Sequence, residues 1–244
     1  MSPPPGRPKE GSLPLGGTAR SAKGAPVSPP PGRPKEGSLR WVLATGNPGK
    51  AREFEDLLAP FGVTIVMQKD LGIEDAEEPH STFVENALAK ARHASAASGL
   101  PALADDSGIC VPALGGAPGV RSARYAGTPA DSPREQADLA NNRKLVAETA
   151  SLAQPVTCFY CCVVVLMRHP QDPRPLIAEG TWQGVLIAQP RGSNGFGYDA
   201  HFLPAGQAET AAEMTPRQKN RVSHRSRAIS ALASALAGEQ ETAR

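Results

Sequence analysis

With 244 residues, 40% of them hydrophobic, the chain suits one large domain or two modest lobes, and nothing in it approaches the ~20 apolar residues of a membrane span. Its net charge of +2 is uneven: residues 1–40 hold seven of the 26 Lys/Arg and two of the 24 Asp/Glu, a net of +5, which leaves the rest at −3 with no basic face for duplex nucleic acid. Four cysteines in a chain this long do not make a disulfide framework and point to a reducing compartment, read as the cytoplasm.

Residues 1–40 contain a repeat: Ser2–Leu13 (SPPPGRPKEGSL) recurs as Ser28–Leu39, and ten of the 25 prolines lie here. Such a segment cannot bury a core, so it is read as a disordered, dispensable extension before a domain over 41–240. Trp41–Thr45 reads as a buried strand, and Asn47-Pro48 as the start of a helix with Phe54, Leu57 and Leu58 facing inward. Val63–Met67 is a second strand. Thr82 and Glu85 have capping-box spacing and open a helix to about Ser98; Ser132 and Glu135 do the same for a helix to about Thr149.

Pro101–Ala104 reads as a strand that ends at Asp105-Asp106. Val156–Met167 and Leu176–Ile187 read as an antiparallel hairpin, and a last helix carries Val222, Ile229, Leu232 and Leu236 on one stripe. Cys158 and Cys161, three apart on a strand, point to opposite faces and read as buried thiols rather than a redox or metal pair. Helices alternating with strands, then a long hairpin, give an α/β fold with a mixed sheet.

Two adjacent carboxylates at the end of a buried strand are costly unless a cation meets them. A divalent metal on a phosphate substrate would do so. Thr45-Gly46-Asn47-Pro48-Gly49-Lys50 joins a strand to a helix N-terminus, and reads either as a phosphate site with free N–H groups or as an ordinary turn. Glu77, Glu78 and Glu85 are solvated acids or supports for Mg²⁺. In Gly192–Asp199, Phe196 and Tyr198 could stack on a base and Asp199 could accept from its edge; the loop reads equally as a turn with a core aromatic. Lys219 and Ser223-His224-Arg225 place cations near a helix start, against its dipole, which favours a ligand over a solvated face.

Together these pieces resemble the inosine triphosphate pyrophosphatase family: ATGNPGK (44–50), TFVENALAKA (82–91), ADDSG (104–108), GAPGVRSARYAG (116–127), GFGYD (195–199) and SHR (223–225), in the family's order over essentially everything after residue 40. The resemblance implies an elongated mixed sheet with helices in two lobes, a central cleft and a homodimer. It implies Mg²⁺-dependent hydrolysis of ITP, dITP and XTP to monophosphate and pyrophosphate, with no membrane or stable nucleic-acid partner. Asp106 would be proton acceptor and metal ligand, with Asp105 and Glu78 helping at the metal. Thr45, Gly46, Asn47, Pro48, Gly49 and Lys50 would hold the triphosphate and ribose side, and Ser107 would contact substrate. Phe196, Gly197, Tyr198 and Asp199 would read the purine; Lys219, His224 and Arg225 would contact base and phosphates.

Ala200, Ser226 and Arg121 depart from the family pattern, which bears on loop rigidity and fine preference. The competing readings are a non-catalytic nucleotide or nucleic-acid binding module anchored by the basic segment, and a pyrophosphatase for modified pyrimidine or standard nucleotides.

Overall fold

The computed structural model describes residues 1–2, 39–129 and 131–242. The chain divides into units 1–34 and 35–244, and the fold below is that of the second. The extension expected to be disordered, with its duplicated segment, lies outside the described residues except for Met1, Ser2, Leu39 and Arg40.

β1 (Leu39–Ala44) runs into α1 (Pro48–Leu58). Asn47 caps α1, accepting from Gly49 N at 2.9 Å and Lys50 N at 3.3 Å, and Pro48 takes the first position, where a missing N–H leaves nothing unsatisfied. β2 (Val63–Met67) follows. α2 (Phe83–Ser98) opens at Thr82, which accepts the Glu85 N–H, while the Glu85 carboxylate returns to the Thr82 hydroxyl at 2.6 Å. The box expected at Ser132 does not form. α3 (Arg134–Thr149) has Pro133 at its cap position, with extended backbone and no side-chain bond, which leaves Ser132 one residue too early. A full capping box forms instead at Thr215 and Gln218, opening α4 (Pro216–Val222).

β3 (Ala102–Cys110), β4 (Val156–Met167), β5 (Leu176–Leu186) and β6 (Phe202–Pro204) complete one mixed sheet, in the order β2-β1-β3-β4-β5-β6. β1 is parallel to β2 and β3; the remaining pairs are antiparallel. This is the expected α/β class. Asp105 and Asp106 lie inside β3 rather than at its end, because β4 is long enough to pair on from Asp105↔Val164 to Cys110↔Phe159. The expected single last helix is two. The chain breaks at Ser223, so Val222 belongs to α4 and packs apart from Ile229, Leu232 and Leu236 on α5 (His224–Thr242).

The period of two along β4 divides the core. Cys162, Val164 and Leu166 pack with Phe54 and Leu58 of α1 and Ile229 and Leu232 of α5. Cys161, Val163, Val165 and Met167 face the alanines of α2. Val156, Cys158 and Tyr160 belong to a third cluster with Leu145, Trp182, Tyr198 and Phe202. The acidic pair on β3 lies beside Val163 and Val164, where β4 sends successive side chains into the first two clusters. All four cysteines are free and buried, and burial pushes the Cys158 and Cys161 thiols up to about 12.

Candidate active site

One cleft of about 1160 Å³ is lined by every residue to which the family resemblance assigns a role except Asp105. The exception follows from the strand period. Adjacent residues on β3 face opposite sides of the sheet. Asp105 points at Lys50 of α1, 2.8 Å away, with Arg225 Nε of α5 at 3.8 Å. Asp106 points at α2, accepting from Asn86 Nδ2 at 3.1 Å and pairing with Lys90 at 3.5 Å. The expected three-acid metal set Asp106, Glu78 and Asp105 is therefore not assembled. Among the described residues no group of three His, Cys, Asp or Glu is placed to hold a metal ion.

The two carboxyls are tuned in opposite directions. Burial raises Asp106 above the usual carboxylate value; the Glu78 charge adds to the rise and Lys90 and Lys50 oppose it. Burial also opposes ionisation of Asp105, but Lys50, Arg225 and Lys90 outweigh it and hold its carboxyl at about 2. Asp105 thus contributes stability that is fully present above the ~3.9 at which an unfolded aspartate titrates. That contribution is lost as pH falls through about 2. In circular-dichroism acid titrations, wild type should lose stability across that window, and Asp105→Asn should show a flatter profile. Equal slopes would contradict this role.

Opposite the acids stands a cationic wall. Glu53 of α1 ties Lys219 of α4, at 3.0 Å, to Arg225 of α5. Arg225 also donates to Ser107 Oγ at 3.1 Å. The first turn of α5 lies directly on β5 at Gly180, where a Cβ would strike the His224 carbonyl, so only glycine lets Arg225 reach the cleft floor. His224 is buried and stacks on Tyr160 with ring centroids 4.6 Å apart. Burial, then the charges of Arg225, Lys219 and Lys50, keep it neutral, and its Nδ1 has no partner among the described residues. Ser226, a departure from the family pattern, bonds back to Ser223 and stitches the break between α4 and α5.

Two nominated elements are arranged differently from expectation. The first-turn N–H groups of Gly49 and Lys50 were expected free for phosphate, but Asn47 takes both, which leaves Lys50 as the turn's charged group. Asp199 was expected to read a base edge. It is buried instead, with Oδ2 accepting from Lys219 at 2.7 Å and Phe196 N at 3.0 Å, and Oδ1 from Tyr160 at 3.2 Å. Phe196 lies against Gly49 so closely that a Cβ there would sit 2.7 Å from the ring. Lys219, Arg225 and Arg134 stand 5.1, 5.7 and 6.0 Å from its centroid.

Glu53, Asn86, Lys90 and Arg124 were not nominated. Asn86 and Lys90 are four apart on α2, polar positions in an alanine-rich face, and that spacing was readable. Lys90 bonds Glu78 at 2.6 Å, and Arg124 holds the other Glu78 oxygen at 3.0 Å.

Residues 41–235 match the Ham1 family. Over 197 residues the chain is 56% identical to the dITP/XTP pyrophosphatase of Burkholderia pseudomallei, covering 81% of this chain and 93% of that protein. It is 58% identical over 197 residues to the dITP/XTP pyrophosphatase of Ralstonia nicotianae, covering 81% and 96%. A solved HAM1 protein from Coxiella burnetii matches with a TM-score of 0.73 at 42% identity, over 82% of this chain and 99% of that one.

Proposed function

Because this chain belongs to the Ham1 family, we propose that it hydrolyses the non-standard purine nucleoside triphosphates ITP, dITP and XTP to monophosphate and pyrophosphate, keeping them out of DNA and RNA. The observation that carries the reading is one cleft in which Asp106 and Glu78 face Lys50, Lys219 and Arg225, with Phe196 between the cations and the phosphate turn.

Asp106 accepts the proton of the attacking water. Its raised carboxyl binds a proton more readily than an ordinary aspartate, and Asn86 and Lys90 fix its orientation. Lys50, Lys219 and Arg225 stabilise charge on the phosphate oxygens, already held in place by Asp105, Glu53 and Asp199 and so needing little reorganisation. Phe196 offers a face to the base. Arg225 stands by that ring and His224 lines the same cleft, both as fixed polar partners, so a 6-keto base is favoured over a 6-amino base, which would leave a buried group unmatched.

The residues fit Mg²⁺. Glu78 and Asp106 are hard oxygen donors whose like charges disfavour each other, and the Lys90 ammonium shows that a cation is welcome between them. These two would hold it, with water and substrate oxygens completing its shell. When bound, it supplies neutralisation of phosphate charge. A homodimer in the cytoplasm belongs to the same reading.

A panel of nucleoside triphosphates assayed for pyrophosphate tests the proposal. ITP, dITP and XTP should be turned over at least ~10²-fold more efficiently in kcat/KM than ATP or CTP, as expected when a buried polar group goes unmatched. Equal rates across the panel would refute the purine selectivity. Chelation with EDTA should abolish turnover and Mg²⁺ should restore it.

A further inference from the structure

Phe196 and Tyr198 flank a peptide that is gripped from outside the loop. Asp138 and Asn142 project from one face of α3, four residues apart. Asp138 Oδ2 accepts the Gly197 N–H at 2.9 Å, and Asn142 Nδ2 donates to the Gly197 carbonyl at 2.8 Å. Both sides of the Gly197 backbone are therefore held by one helix.

The geometry also fixes which end of the Asn142 amide is which. Its nitrogen faces two carbonyl oxygens, Gly197 O and Asp138 O at 2.9 Å, and only N–H groups can satisfy both. Its Oδ1 is buried with no partner among the described residues, although Asn142 borders the cleft. An unpaired buried acceptor is costly and is retained here for the sake of the two donors. Asp138 does a second job. Its Oδ1 takes Arg134 Nε at 3.0 Å, and Arg134 stands over the Phe196 ring. That ring also rests on Gly49, in the phosphate turn.

We infer that Asp138 and Asn142 are positioning residues for base recognition: together they set the Gly197 peptide, and through it the depth at which Phe196 meets the purine. Neither touches the phosphate-side groups Lys50, Asp106 or Glu78. The inference rests on the nucleotide-hydrolase reading. It separates base affinity, set from α3 through the Gly197 peptide, from phosphate affinity, set by Lys50, Lys219 and Arg225 on α1, α4 and α5.

Two near-isosteric changes test it. Asn142→Asp keeps the shape but removes both donors and sets a carboxylate against two carbonyls. Asp138→Asn keeps one oxygen to accept from Gly197. KM for ITP should rise about tenfold in Asn142→Asp with kcat within about twofold, and should stay within about twofold of wild type in Asp138→Asn. Inhibition by inorganic tripolyphosphate, which has no base, should be unchanged in both. An unchanged KM in Asn142→Asp would overturn the inference, as would a parallel loss of tripolyphosphate affinity, which signals general loosening. Should Asn142→Asp not fold, Asp138→Ala, which removes the acceptors of both the Gly197 N–H and Arg134, carries the same expectation and the same refutation. If wild type itself does not hydrolyse ITP, the reading of the reaction fails; tripolyphosphate and IMP affinities measured by calorimetry still decide the positioning role.

Discussion

Asp106→Asn should leave the fold intact and lose at least ~10²-fold in kcat, the lower range for removing a general base. The substitution is nearly isosteric, and an Asn Oδ1 can still accept from Asn86, so unfolding behaviour should change little. What disappears is the proton acceptor. The pH profile gives an independent check. Asp106 works only when deprotonated, so kcat/KM in wild type should climb with pH as it titrates. That limb should be missing from the residual activity of Asp106→Asn. Near-wild-type turnover in the variant would remove Asp106 from the role.

The second large effect concerns stability. Asp199→Ala should cost about 3–5 kcal/mol, the range for removing one partner of a buried ion pair. Lys219 is only 5% exposed and, among the described residues, would be left with Glu53 as its sole anion. The buried Tyr160 hydroxyl and the Phe196 N–H would lose their acceptor as well. Denaturant unfolding reads this directly, with a lower midpoint at an unchanged slope. If Asp199 instead read the base edge, stability would hold and only KM for ITP would rise.

The elements legible in the sequence were those marked by local chemistry. Asn47-Pro48 announced α1 because cap and first-turn proline act within three residues. The β4–β5 hairpin showed in two long apolar runs. Elements whose definition depends on distant partners were less legible. Asp105 and Asp106 looked like one acidic pair, yet β3 continues because β4 pairs with it, and that continuation sends the two side chains to opposite faces. Glu53 gave no signal at all. It looks like any exposed helix acid until α4 and α5, more than 160 residues later, bring Lys219 and Arg225 against it. The break at Ser223 was hidden because the apolar spacing carries across it. Motif order thus located the cleft, while the division of labour among its charges came from packing.

The most direct test of the whole account is the product of ITP hydrolysis, resolved by ³¹P NMR or ion-exchange chromatography. IMP and pyrophosphate should appear in equal amounts, with no inorganic phosphate released early. IDP with inorganic phosphate would contradict it, because the bond cut would then lie between the β- and γ-phosphates.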